Sequence, residues 1–252
     1  MPSLSQVIHT DPIRGFLYGV SGAGKTSVLG LMAQYEEFTP IYWFDWDKRI
    51  ASLQARLDKK FWDRVIADPY RDNNIPGEAF ILMQAKIDKL EKEGIKTAVV
   101  DSATFCMKGI MARVLGADGK AATSSPQLQH YMQQISLFEE VVARLCSKQM
   151  NIFFTAHEDT QKDEITGRLF KNVDLTGKAA NRIPGYFNEL WHMEVTASMN
   201  AAPTYKIRTR SDAIYSARTT FRTLDTCEDQ ALIWQKIIKE REGNRNVQAK
   251  VS

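Results

Sequence analysis

Residues 19–26 read Gly19-Val20-Ser21-Gly22-Ala23-Gly24-Lys25-Thr26, which satisfies G-x-x-x-x-G-K-S/T. Their neighbours supply the context this pattern needs. Upstream, Gly15 to Tyr18 is a short apolar run that reads as a strand. Downstream, Ser27 to Gln34 places Val28, Leu29, Leu31 and Met32 at helical spacing. Strand, glycine-rich turn and helix in that order aim backbone N–H groups and a helix N-terminus at one point, which is a seat for phosphate. Glycine lets those amides turn inward without a Cβ clash; Lys25 reaches the outer phosphates and the Thr26 hydroxyl meets a metal ion. The expected nucleotide contacts are Gly19, Val20, Ser21, Gly22, Ala23, Gly24, Lys25, Thr26 and Ser27, and the expected ligands are ATP and Mg²⁺. A turn that binds nothing is the bland alternative, and the agreement of pattern with context outweighs it.

Working outward, Pro40 opens the apolar run Ile41 to Phe44, which ends in Asp45-Trp46-Asp47 before the helical pattern Ile50, Leu53, Leu57. A second such run, Thr97-Ala98-Val99-Val100-Asp101-Ser102, also ends in a carboxylate. Beside a phosphate loop that carboxylate holds the Mg²⁺ shell, so Asp101 is the expected metal residue together with Thr26. Hydrolysis further needs a carboxylate at a strand end to orient the attacking water. Asp47 and Asp45 are the candidates, with Asp47 preferred over the reading of both as a solvated strand end. A third run, Ile152-Phe153-Phe154-Thr155-Ala156-His157, ends in a group able to hydrogen-bond a phosphate oxygen, which makes His157 a candidate γ-phosphate sensor rather than a plain structural histidine. Lys25, Asp47 and His157 are thus the expected catalytic set.

The remaining chain completes an α/β pattern. Glu78 to Glu93 is helical and stops at Gly94, and Leu128, Tyr131, Ile135, Phe138, Val142 and Leu145 mark a long amphipathic helix. Gly116 to Pro126 and Glu158 to Gly177 read as two long loops. Glu189 to Thr196 and Thr204 to Arg210 read as strands, and Asp229 to Glu240 as a closing helix. The expected fold is a mostly parallel twisted sheet flanked by helices, with an antiparallel edge near the C-terminus. It forms a single domain over 1–252, with a core at 13–225 and a C-terminal helix and polar tail at 226–252.

Composition narrows the function classes little. With 252 residues, 44% of them hydrophobic, a sizeable core is affordable, and 33 Lys and Arg against 30 Asp and Glu leave a balance of only +3. Cys106, Cys146 and Cys227 are too scattered for a disulfide framework or zinc knuckle. Neither a leader nor an 18-residue apolar span is evident, so a soluble cytoplasmic protein with no membrane partner is expected. The five tryptophans lie mostly in apolar stretches and read as core. Between Lys206 and Arg222 stand Lys206, Arg208, Arg210, Arg218 and Arg222 against the single acid Asp212. That density fits a phosphate-contacting surface, arginine fingers for a neighbouring subunit, or a solvated hairpin face.

In the order of its motifs, from about Gly15 to Phe221, the chain resembles the RecA-like P-loop ATPase core. Within it the chain resembles the small phage-type, AAA-domain nucleotide-binding proteins of single-strand annealing. Phe44-Asp45-Trp46-Asp47 resembles that family's D-x-E, with Asp47 one methylene short at the Glu position. Val100-Asp101-Ser102-Ala103 resembles its Walker B strand, and Thr155-Ala156-His157 the strand of its γ-phosphate sensor. The resemblance implies that the two long loops contact DNA, through Lys120, Arg168, Lys171 and Lys178. It also implies that Arg218, or second Arg210, reaches a neighbour's site. The implied protein is a DNA-stimulated ATPase acting on single-stranded DNA in recombination or annealing, in a phage or its bacterial host. It would work as a filament or ring, with a single-stranded-DNA-binding protein as a possible partner. The alternatives are a nucleotide or small-molecule kinase and a nucleotide-gated interaction module with little turnover.

Overall fold

Strands β2 (Ile41–Asp45), β4 (Thr97–Asp101) and β5 (Asn151–Ala156) are buried at every position, which is why their sequences run apolar without alternating. In the computed structural model, which describes residues 12–73, 75–162, 164, 167–198 and 201–248, they form the parallel centre of a sheet together with β1 (Arg14–Tyr18). The stretch read for a leader falls mostly on residues 1–11, and the tail ends in 249–252; both lie outside the described residues. The sheet has eight strands in the order β10-β9-β8-β1-β5-β4-β2-β3. Strand β3 (Val65–Pro69) lies parallel on the β2 edge, and β8 (Glu189–Ser198) lies parallel to β1. Strands β9 (Ala201–Arg208) and β10 (Cys227–Asp229) then close the other edge antiparallel, as expected.

Successive residues of each central strand enter opposite cores. Phe16, Tyr18, Tyr42, Phe44, Ala98, Val100, Ile152 and Phe154 pack on one face beneath α2 (Glu78–Ile87), α3 (Ala103–Ala117) and α4 (Leu128–Cys146). Leu17, Ile41, Trp43, Val99 and Phe153 pack on the other, beneath α1 (Lys25–Gly30) and α5 (Ile233–Gln248). Trp43, Trp46, Trp191 and Trp234 are buried, as core residues should be.

Three elements depart from the sequence reading. Helix α3 was not anticipated, although Ser102 caps it by accepting from the Phe105 amide and Ala103, Cys106, Met107, Ile110 and Val114 are buried at helical spacing. Strand β3 was likewise missed: its alternation is weak because it is an edge strand with only one neighbour. The stretch Glu158 to Gly177 is not a loop throughout. Strands β6 (Glu158–Lys162) and β7 (Leu169–Val173) pair antiparallel as a separate two-stranded sheet. Their side chains are mostly polar and all but Val173 are at least partly exposed, so backbone pairing forms the strands without the apolar alternation that would announce them.

Candidate functional site

Register places the site. Asp45 pairs with Asp101, Val100 with Phe154 and Tyr18 with Ala156, so β2, β4, β5 and β1 reach their carboxyl ends side by side. That edge is where open parallel sheets hold ligands. A cleft of about 760 Å³ opens there, lined among others by Ser21, Lys25, Thr26, Asp47, Asp101 and His157. Every residue of the expected catalytic and metal sets borders it.

The phosphate loop turns back over its own lysine. Lys25, 7% exposed, donates through Nζ to the carbonyls of Gly19 at 2.8 Å and Val20 at 2.9 Å. Burial lowers its pKa, an effect opposed by the carboxylates of Asp101 and Asp47. At Gly24 the backbone adopts φ +90°, and an added Cβ would stand 2.2 Å from Gln230 Oε1. The left-handed turn favours glycine there, and any Cβ would also have to push the Gln230 amide aside. Gln230 in turn donates through Nε2 to the Ala23 carbonyl at 2.7 Å, and Trp234 donates through Nε1 to the Val28 carbonyl at 2.6 Å. The C-terminal segment therefore clasps the loop and the helix that follows it.

Asp101 is 2% exposed and accepts from Thr26 Oγ1 at 2.7 Å and from Thr155 Oγ1. Burial raises its pKa, while the two hydroxyls and Lys25 pull the other way. The adjacent hydroxyl and carboxylate are hard oxygen donors that fit Mg²⁺, an ion that retains waters and takes one or two protein oxygens together with substrate phosphates. Among the described residues no group of three or more His, Cys, Asp or Glu is arranged to hold a metal ion.

Asp47 is fixed from two sides. The amides of Trp46 and Asp47 donate to the Asp101 carbonyl at 2.7 and 3.1 Å, while Asp47 Oδ1 accepts from the Ser102 amide at 3.0 Å and the Ser102 hydroxyl at 2.6 Å. Its Oδ2 stands 3.7 Å from His157 Nε2. Burial raises its pKa, but the contacts with His157 and Ser102 prevail and hold it below the ordinary value. The backbone of His157 is anchored by the Thr104 hydroxyl at 3.1 Å. Asp45 has a different role: its oxygens accept from the amides of Arg49 and Ile50, capping a 3-10 turn at Ile50–Ala55. Asp47 thus borders the cleft while Asp45 caps the neighbouring turn, a difference that the D-x-D string alone does not contain.

The other expected residues are not gathered. Lys206 borders the cleft, but Arg208 pairs with Glu194 at 2.6 Å and Asp212 at 2.9 Å. Arg218 donates to the carbonyls of Phe187 and Pro184, and Arg210 is exposed with one long contact, 3.4 Å, to the Leu224 carbonyl. The basic run from Lys206 to Arg222 is therefore not a single patch. Lys171 is held by Glu158 at 2.8 Å and donates to Thr160 at 2.7 Å, and Lys120 lies 3.4 Å from Asp118. Arg168 and Lys178 are exposed. Sequence reasoning missed Ser102, Thr155, Gln230 and Arg49. Ser102 and Thr155 were signalled by hydroxyls at buried strand ends, whereas Gln230 carries no local signal.

Residues 11–230 match the family model AAA_24, described as AAA domain. No curated protein matches the chain. Among solved structures, the flagellar accessory protein FlaH from Methanocaldococcus jannaschii is 12% identical, with a TM-score of 0.44 and 84% of each chain covered. The RadB recombinase is 12% identical, with a TM-score of 0.45 over 81% of this chain and 86% of that one. The ATPase EscN of the enteropathogenic E. coli type III secretion system is 11% identical, with a TM-score of 0.48 over 73% of this chain and 42% of that one.

Proposed function

Because the chain belongs to the AAA domain family, we propose that it binds ATP with Mg²⁺ in the cleft at the strand ends and hydrolyses it. The observation that carries this reading is the Thr26–Asp101 contact of 2.7 Å, which brings the hydroxyl of one motif to the carboxylate of another 75 residues away, beside Lys25. The loop amides and Lys25 bind and neutralise the phosphates, while Thr26 and Asp101 would hold a metal ion, whose chemistry would be to stabilise charge on the phosphoryl oxygens. Asp47, kept ionised by His157 and Ser102, would orient water, and His157, on the border of the same cleft, would sense the outer phosphate.

The proposal extends to RecA-like work on single-stranded DNA, in recombination or annealing, by an oligomeric ring or filament in the cytoplasm of a phage-infected or bacterial cell. Its support is positional. The β6–β7 hairpin begins at Glu158, the residue after His157, so a change at the sensor is transmitted directly to the hairpin base. DNA contact is assigned to Lys120, Arg168, Lys171 and Lys178, of which Lys171 and Lys120 also form ion pairs within the chain. A single-stranded-DNA-binding protein is a fitting partner. Arg210 is better placed than Arg218 to reach a neighbour, since the Arg218 guanidinium is bound to its own chain. Among the described residues no helix is long and apolar enough to cross a membrane.

One observation favours a second reading, a nucleotide-gated module with slow turnover: Asp47 Oδ1 is doubly hydrogen-bonded to Ser102, which leaves only Oδ2 toward water. Steady-state hydrolysis with and without single-stranded DNA separates the two. We expect turnover that rises with DNA and falls about 100-fold or more in Lys25→Ala. Tight Mg·ATP binding with negligible turnover in the presence of DNA selects the second reading. No binding at all refutes both.

A further inference from the structure

Three residues beyond β2, the chain makes an uncommon move. Lys48 has φ +58°, a left-handed conformation for a residue with a Cβ, and it stands between Asp47 and Arg49. Asp45 holds the Arg49 amide at 3.1 Å, so the backbone on both sides of Lys48 is tied down. The outcome is that Asp47 and Arg49, two residues apart, both border the same cleft. The Arg49 guanidinium crosses to the phosphate loop, where its Nη1 donates to Ser21 Oγ at 3.2 Å. Arg49 is otherwise exposed, and its charge is felt by Lys25, whose pKa it helps to lower. A cation resting on a neutral hydroxyl at the crown of a phosphate loop has a weak partner and a strong prospective one.

We infer that Arg49 supplies the outermost phosphate with a guanidinium contact from within the same subunit. The inference rests on the reading of residues 19–26 as a triphosphate site. Lys25 and the loop amides approach the phosphate chain from one side, and Arg49 approaches from the β2 side, next to the water-orienting Asp47. A planar fork of donors suits two phosphate oxygens at once, and it would be drawn off Ser21 when they arrive. Because only a triphosphate extends that far, Arg49 discriminates triphosphate from diphosphate, a task the residues touching the inner phosphates cannot perform.

The test is calorimetric titration of the wild-type protein, Arg49→Ala and Arg49→Lys with a non-hydrolysable Mg·ATP analogue and with Mg·ADP, alongside thermal melting of each variant. Arg49→Ala should lose about 10- to 100-fold in affinity for the triphosphate and none for the diphosphate, with an unchanged melting curve. Arg49→Lys should recover part of the loss, since it keeps the charge and loses the fork. Equal weakening of both ligands, or of neither, overturns the role of Arg49 while leaving the phosphate loop intact. Failure of the wild-type protein to bind either ligand overturns the nucleotide reading and this inference together.

Discussion

The phosphate cleft and the β6–β7 hairpin meet at adjacent residues, His157 and Glu158, yet they are held by different physics. Around the cleft, Lys25, Asp101, Thr155 and Ser102 are buried polar groups, each with a partner, and the surrounding shell is aromatic and aliphatic. In such a setting a missing partner is costly and geometry is tightly fixed. The hairpin has little apolar burial and depends on backbone pairing and contacts such as Lys171–Glu158. Glu158 is largely buried but also pairs with His192 at 2.8 Å, so losing Lys171, the more exposed partner, leaves it one partner and should cost about 1 kcal/mol or less. One region is held by buried, fully partnered polar groups, while the other rests on pairing that solvent can reach.

The largest contrast is expected in stability. Trp234→Ala removes a fully buried ring packed on Phe38, Phe153 and Trp191, together with the hydrogen bond to Val28. It should cost about 3–5 kcal/mol, whereas Lys171→Ala should cost less than about 1 kcal/mol. Denaturant melts of both variants check this, and similar losses would mean that the hairpin is part of the cooperative core.

A second contrast appears on acidification. Burial raises the Asp101 pKa above the ordinary 3.8, and a protonated Asp101 cannot ligate a cation. The Mg²⁺-dependent share of ATP binding should therefore be lost as pH falls through a value above 3.8. Asp47 has a depressed pKa, so its stabilising contacts persist above 3.8 and disappear only as pH falls through that lower value. Titrations with and without Mg²⁺ across this range, read beside circular dichroism, should show metal loss before unfolding. The reverse order would place Asp101 outside the metal site.

The smallest effect belongs to the hairpin side. Arg168→Ala or Lys178→Ala should each reduce the salt dependence of single-stranded DNA binding by about one unit of slope. Nucleotide affinity should be unaffected. An unchanged slope in both variants removes the hairpin side from the DNA path.

The same division explains what could be read from the chain. The phosphate loop is legible because its requirements are backbone requirements: Gly24 must tolerate φ +90°, and few sequences permit that beside a lysine and a hydroxyl. Asp101 and His157 were legible because continuous apolar runs marked the buried strands and thereby their ends. Gln230 was not, since its role depends on a fold that brings it across 207 positions to Ala23. The hairpin was read as a loop for a related reason: exposed antiparallel strands such as Thr160 against Lys171 leave no hydrophobic imprint. Helix α3 was a different case, because its apolar spacing was present in the residues and was overlooked beside the carboxylate that precedes it.

The clasp of Gln230 and Trp234 on the loop bears on how the protein is made. Synthesis delivers the glycine-rich turn first, and the groups that brace it emerge about two hundred residues later. A nascent chain on the ribosome thus carries the motif long before it carries a completed receptor. A braced turn is a property of a chain that reaches past β10, and a translation product broken off ahead of that strand would display the signature without the clasp that steadies it.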